Sequence, residues 1–284
     1  EEIKELFQNK KSELYIVENV YPKIDELNIE PTRAVIQQVF EKHIIHAPGM
    51  EKIRDMVNGP IMPTPGAVME ASKLLYNEIG DLITIDVGGA TTDIHSVTEG
   101  SDEINRILIN PEPLAKRTVE GDLGVFVNMH NILDMVGKEE IFKELNISLE
   151  ELEKIIENHK EIPDSDLEKE FVEKLTFYAF DTALNRHAGR LRNLYGPSGK
   201  KTLAEGKDLT QVQTIIGTGG ALTRLSGGIE ILKNLGLNNR GDKLLPNKDV
   251  RILIDNHYIM ASLGVMSKEY SHEALELLKS SLKI

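Results

Sequence analysis

An α/β fold with a mixed sheet is predicted by three observations. The apolar period drops to two from Asp81 onward, a long helical stretch follows, and further apolar strands return beyond residue 210. Hairpin strands followed by helix, strand, helix, strand and helix require a sheet that is antiparallel in one part and parallel in another. Two of the strands also run into glycine corners, "TIDVGGATTD" at 84–93 and "IIGTGGALTRL" at 215–225.

Residues 1–80 read as mostly helical around one short strand at Tyr15–Val17, stopped by Pro22. "PTRAVIQQVFEKHI" reads as helix, with Val35, Ile36, Val39 and Phe40 spaced for one buried face. In "MPTPGAVMEASKLL" Thr64 is placed as N-cap and Pro65 at the first helical position. "DLITIDVGGATTDIHSVTEG" reads as strand, turn and strand, and "SDEINRILI" as a third strand. Residues 125–195 read as helical. Ser148 with Glu151, and Ser165 with Glu168, form capping boxes, the second opening a helix to about Leu194. "YGPSGKKTLAEGKDLT" is polar and Gly-rich, hence a surface hairpin or loop. "DVRILID" is the last strand, and residues 257–282 form one or two closing helices.

With 284 residues the chain can form two domains or one large one with insertions. Lys and Arg number 33 against 46 Asp and Glu, a net charge of −13. That excess repels nucleic-acid phosphates and anionic lipid, so neither nucleic acid nor membrane is expected as a partner. With no cysteine, neither a disulfide framework nor a thiolate metal site is available. No apolar run reaches the roughly 18 residues that span a bilayer, and a cytoplasmic setting is expected.

The first glycine corner raises a question of charge. Asp86 ends a strand, Gly88 and Gly89 let backbone approach a ligand, Thr91 and Thr92 add hydroxyls, and Asp93 closes the turn. Successive N–H groups in such a turn form an anion nest, and the two carboxylates can hold hydrated Mg²⁺. A chain this acidic would repel ATP⁴⁻ but accept MgATP²⁻ through the metal. A tight β-turn whose threonines and aspartates satisfy their own backbone fits the same residues. At the second corner, Gly217, Gly219 and Gly220 suit stacking of a base or ribose, or a close strand-to-helix packing turn. Both corners, in this order and about 130 residues apart, are more specific than either alone. They are expected on opposite walls of one crevice.

"ITIDVGGATTDIHSV" resembles the second phosphate motif of the actin, Hsp70 and sugar-kinase superfamily of ATPases, and "IIGTGGALTRL" resembles its adenosine motif. "ENVYPKIDELNIEPTR", "MPTPGAV", "RHAGR" and "GKDLT" resemble the accessory protein of adenosylcobalamin-dependent glutamate mutase (methylaspartate mutase), over essentially the whole chain. The resemblance implies an actin-like, ribonuclease H-like ATPase subdomain at 81–284 with a helical insertion at about 127–195. Residues 1–80 would be the C-terminal remnant of a first subdomain plus an interdomain helix. It also implies an ATP-dependent reactivating chaperone that releases damaged cobalamin from a mutase subunit, with ATP and Mg as cofactors. By the same resemblance Asp86 would organise Mg through water, Gly88, Gly89, Thr91 and Thr92 would contact phosphates, and Asp93 would close the motif. Gly217, Gly219 and Gly220 would border adenosine, with Arg224 near the base.

The superfamily's first phosphate motif should lie well upstream, and only 85 residues precede Asp86. The chain is therefore expected to be a C-terminal fragment of a longer protein whose N-terminal half completes the cleft. Weak ATPase activity is expected of the full-length protein, not of this fragment alone. Two other readings use the same scaffold: a metabolite kinase, for which no catalytic base can be named, and a non-catalytic nucleotide-binding assembly module. The accessory family shares its name with an unrelated DNA-mismatch-repair ATPase, which neither these motifs nor the acidic balance resembles.

Four stretches invite other readings. "GPSGKK" at 196–201 fails the Walker spacing and reads as a loop. Arg186, His187, Arg190 and Arg192 read as a solvated basic helix face or a partner site. His43 and His46 read as surface histidines, because no acidic or Cys ligand completes a metal site. Glu120, Gly121 and Asp122 form an acidic-glycine turn like the one that, in the superfamily, begins the helix beside the nucleotide.

Overall fold

The computed structural model describes residues 2–7, 13–24, 26–44, 50, 52, 56–57, 59, 61–197, 199–234 and 241–284. The chain divides into two compact units, Glu1–Met62 and Pro63–Ile284.

In the first unit, α1 (Glu2–Phe7) and α2 (Glu30–Ile44) are helices. Tyr15–Val17 is not a strand. Helix α2 begins within a residue of expectation, but Ile36 is 63% exposed and does not join a buried face.

The second unit is built on a five-stranded sheet of β1 (Leu82–Val87), β2 (Thr92–Val97), β3 (Ala115–Glu120), β6 (Thr214–Thr218) and β7 (Arg251–Ile254). The order is β3-β2-β1-β6-β7, with β3, β2 and β1 antiparallel and β6 and β7 parallel to β1. The α/β class with a mixed sheet is thus as expected, but the third strand lies elsewhere. Ser101 caps a single helical turn, α4 (Asp102–Asn105), by accepting the Ile104 N–H, and this turn replaces the strand expected in "SDEINRILI". The edge position falls to "AKRTVE".

Alternation along β1 explains why both faces of the sheet are covered. Leu82 and Thr84 point to one side, Ile83, Ile85 and Val87 to the other. The first side packs on α3 (Thr64–Ile79), α11 (Met260–Met266) and α12 (Ser271–Leu282) through Val68, Leu75, Leu263 and Leu278. Here Pro63 is the N-cap and Thr64 already helical, one residue earlier than expected. The second side packs on α8 (Asp166–His187), whose Phe171, Leu175 and Phe180 meet the β1 isoleucines in one core.

The shorter helices α5 (Met129–Val136), α6 (Lys138–Glu144) and α7 (Leu149–Glu157) complete that layer. Both expected capping boxes are present, at Ser148–Glu151 and Ser165–Glu168. Helix α8 stops at His187, not near Leu194, and the chain enters a separate hairpin of β4 (Arg190–Gly196) and β5 (Gly199–Glu205). A Cβ on Gly189 would lie 2.7 Å from the Gly206 carbonyl, so the two strands can cross at their base only where one partner lacks a side chain.

Candidate functional site

The register sets one polar row across the sheet. Asp86 pairs with Asp93 across the β1–β2 hairpin and with Thr218 on β6. Thr218 donates its hydroxyl to Asp255 at 3.0 Å, just beyond β7. Asp93, Asp86, Thr218 and Asp255 therefore share one face, at the carboxyl ends of parallel strands β1, β6 and β7, where open α/β sheets bind ligands. The two glycine corners stand side by side on adjacent parallel strands, not on opposite walls. A Cβ on Gly219 would sit 2.5 Å from Asp86 Oδ1, and its φ of +85° adds a second reason for glycine there.

Burial beside like charge governs these carboxyls. Desolvation, then Asp255, pushes Asp86 up to about 6. Desolvation, then Asp86, pushes Asp93 up to about 7, against the opposing pull of Arg117 and a hydrogen bond from Thr91. Asp93 is 3% exposed and its Oδ1 has no partner among the described residues. A buried, unpartnered carboxylate oxygen facing a second carboxylate is the donor set a hard divalent cation accepts, so the residues fit Mg²⁺. Asp86 and Asp93 would hold it.

The turn between the strands is gripped from one side. Phe126 and Val127 donate their N–H groups to the Gly89 carbonyl at 2.9 and 2.7 Å, Val125 donates to Gly88, and the Asn128 amide donates to the Ala90 carbonyl. A Cβ on Gly124 would strike the Ala90 carbonyl, which lets this loop lie flat on the turn. With carbonyls committed, the N–H groups of Gly89 and Ala90 meet no acceptor among the described residues. They remain available to an anion, in keeping with a nest. Thr92 is inward-facing: its buried hydroxyl donates to the Leu123 carbonyl at 2.6 Å. Thr91 stays half-exposed on the turn.

At the second corner the three glycines differ. Gly217 packs inward, where a Cβ would lie 2.8 Å from Leu232 and 2.9 Å from Ile254. Gly219 abuts Asp86, and nothing among the described residues lies within 4 Å of where a Gly220 side chain would begin. Helix α9 (Gly220–Thr223) ends at Arg224, whose guanidinium lies 5.8 Å from the Tyr258 ring centroid, and α10 (Gly228–Lys233) follows it. The structure thus gathers Asp86, Gly88, Gly89, Thr91, Asp93, Gly219 and Gly220, with Arg224 joined through Tyr258, and turns Thr92 and Gly217 into the protein. Sequence reasoning missed Asp255, though "RILID" carries the same signal as "ITID", an apolar strand ending in Asp. Tyr258 had no local signal.

The remaining stretches resolve into structure. Arg186 binds Asp122 through two bonds of 2.8 and 2.9 Å and Glu120 at 2.7 Å, so the acidic-glycine turn is clamped to α8. His187 is buried, with Ser96 at 2.8 Å from Nε2 and Thr118 at 2.9 Å from Nδ1, and burial drives its pKa well down. It is a core residue, not part of a solvated face, and Arg190 and Arg192 belong to β4. "GPSGKK" sits at the tip of the β4–β5 hairpin, with residue 198 outside the described residues. His43 is exposed and His46 lies outside the described residues. Among the described residues no group of three His, Cys, Asp or Glu could hold a metal by itself, and no helix is long and apolar enough to cross a membrane.

Solved structures similar to this chain include ethanolamine utilization protein EutJ from Carboxydothermus hydrogenoformans, 18% identical with a TM-score of 0.29 over 75% of this chain and 54% of that one. A non-polymerisable quadruple mutant of pCBH ParM is 20% identical, with a TM-score of 0.31 over 76% of this chain and 52% of that one. These overlaps are too low to carry an inference, and the fold rests on the sheet order. Sequence similarity is far stronger. Protein MutL of Clostridium tetanomorphum is 35% identical over 294 residues, covering 99% of this chain, which spans 64% of that relative's length. The family profile described as MutL protein matches residues 1–282, so the chain belongs to the MutL protein family.

Proposed function

We propose that this chain is the Mg-nucleotide-binding, actin-like part of an ATP-dependent reactivating chaperone for an adenosylcobalamin-dependent mutase such as glutamate mutase. The supporting observation is the Asp86–Asp93 pair, both raised in pKa: Asp93 is buried and its Oδ1 has no partner among the described residues, and half-buried Asp86 abuts the Gly219–Gly220 corner. Asp86 and Asp93 hold Mg²⁺ through water, the free N–H groups of Gly89 and Ala90 take phosphate oxygens, and Gly219, Gly220 and Arg224 border the adenosine. The metal, when bound, neutralises phosphate charge that this acidic chain would otherwise repel. Residues 1–80 supply the end of a first subdomain and an interdomain helix, α3, and the rest of that subdomain closes over the nucleotide. Closure is driven only by contacts that differ between nucleotide states, and that motion changes the grip on the mutase. The family's name points equally to a DNA-repair ATPase, but a net charge of −13 and the motifs at both corners favour the mutase reading.

The test is a reactivation assay with inactivated glutamate mutase, ATP and the full-length protein, alongside calorimetric MgADP binding. Asp86→Ala should lose at least tenfold in nucleotide affinity and fail to restore turnover. Full recovery by that variant removes Asp86 from the metal role. Phosphotransfer to a small molecule with no effect on the mutase would favour a metabolite kinase.

A further inference from the structure

The β4–β5 hairpin stands apart from the five-stranded sheet. Its base is tied down: the Leu191 N–H donates to the Asp242 carbonyl at 2.7 Å, and the Ile109 N–H donates to the Ala204 carbonyl at 2.9 Å. Beyond that base every described residue from Arg192 to Lys201 is exposed. The register sorts the tip into two faces, because residues paired across an antiparallel ladder share one side. Leu194 pairs with Lys201 on one face, and Tyr195 pairs with Lys200 on the other. Each face thus carries an apolar side chain beside a cation, and Tyr195 is 78% exposed. Arg190 and Arg192 donate to Glu205 at 3.4 and 3.0 Å, whereas Lys200 and Lys201 make no ion pair among the described residues.

A matching surface lies at the other end of α8. Residues 148–170, which hold α7 and enter α8, carry nine carboxylates against three lysines. In the turn between the two helices Ile162 is 76% exposed, directly after Glu161 and shortly after Glu157. Both glutamates are exposed and make no ion pair among the described residues. The tip and this turn do not meet within one molecule, since both are exposed. Helix α8 has 22 residues, about 33 Å of rise, and the hairpin begins at its far end. Strands of seven residues reach only about 23 Å from their base.

We propose that the hairpin tip docks on the acidic α7–α8 turn of a second copy of this chain, with Lys200 and Lys201 against Glu157 and Glu161 and the Leu194–Tyr195 tip against Ile162. Complementary patches at opposite ends of one helix make a heterologous contact, which builds head-to-tail chains or a ring. The net charge of −13 on each copy does not prevent this. Screening acts over about 8 Å at physiological salt, so charges far from the contact are silenced while pairs within it still attract. Charge steers the encounter, and the apolar tip supplies the area that holds it. The contact uses no residue of the Asp86 corner and stands apart from the nucleotide reading.

Sedimentation velocity on the full-length protein reads the contact. At about 0.1 M salt the wild-type mass should rise with concentration up to about 100 µM, and it should fall back at about 1 M salt. Lys200→Glu combined with Lys201→Glu should weaken the contact about tenfold or more, and so should Glu157→Lys combined with Glu161→Lys. All four positions are exposed, and Glu157→Lys puts a cation at the C-terminus of α7, where the helix dipole favours it. Mixing the two variants should restore association, because each reversed tip then faces a reversed turn. Misfolding of either variant would not be repaired by mixing. Loss in both variants without restoration on mixing overturns the pairing, as does association of either variant alone at wild-type strength. A wild type that stays monomeric across the range overturns self-docking and leaves the arm to an acidic surface of another protein.

Discussion

At the scale of single residues, the site is defined by charge placed where it is costly. Asp93 and Asp86 face each other across a hairpin, and burial raises both above the ordinary carboxylate range, to about 7 and about 6. The native state therefore keeps these protons to higher pH than the unfolded chain does. Stability contributed by the pair is present at low pH and is lost as pH rises from about 4 through 7. Asp93→Asn removes one charge and leaves an amide that can donate to Asp86. In metal-free buffer at pH 8 this variant should melt about 2–5 °C above the wild type, and the gap should shrink at pH 4.5. Adding Mg²⁺ at pH 8 should raise the wild-type Tm more than that of the variant. A wild type that is the more stable protein at pH 8 without metal would show that the carboxylates are not in mutual conflict. His95 and His187 act in the opposite sense: their buried imidazoles stay neutral while those of the unfolded chain take protons below about pH 6.5, so acid lowers stability through them and the comparison must be between variants at one pH.

Among elements, the contact between α3 and α11 is the most exacting. A Cβ on Gly264 would overlap the Ala67 carbonyl, and Ala67 is itself buried. Gly264→Ala should push the helices apart and destabilise by about 1–3 kcal/mol, the usual cost of overpacking, although alanine is the better helix former. Chemical denaturation would read this, and a variant as stable as the wild type would mean that the helices are not in contact at that point. This packing was invisible in the sequence because it joins residues 197 positions apart. What was legible was local: the caps at Ser148 and Ser165 use groups three residues apart, and β1 and β2 carry strong apolar alternation. The third strand was missed because β3 is an edge strand. Its Lys116, Thr118 and Glu120 blur the period, while Ile107 and Ile109 imitate one. The end of α8 was missed for a tertiary reason, the Gly189–Gly206 crossing that starts the hairpin. At the site, the residues before each glycine corner were readable. Asp255 and Tyr258 become meaningful only once β7 lies beside β6.

For the whole molecule, the decisive relation is between a sheet complete within Pro63–Ile284 and a chain that spans 64% of its MutL relative. The polar row needs only β1, β2, β6 and β7, so on the proposed function metal and part of the nucleotide would engage this chain alone. Enclosing the nucleotide requires a second wall, which the proposal assigns to the preceding subdomain. Ligand linkage separates the two contributions, because a ligand that binds only the folded state stabilises by RT ln(1 + [L]/Kd). At a concentration 100 times the Kd this is about 2.7 kcal/mol, or about 5–10 °C for a unit of this size. With MgADP set at 100 times the Kd of the full-length protein, that protein should show the whole shift. The present chain, binding at least tenfold more weakly, should show about half of it or less. Equal shifts would mean that the site is complete in these residues and that no second wall is needed. A shift in neither protein, with reactivation intact, would move the nucleotide's role out of the Asp86 corner altogether.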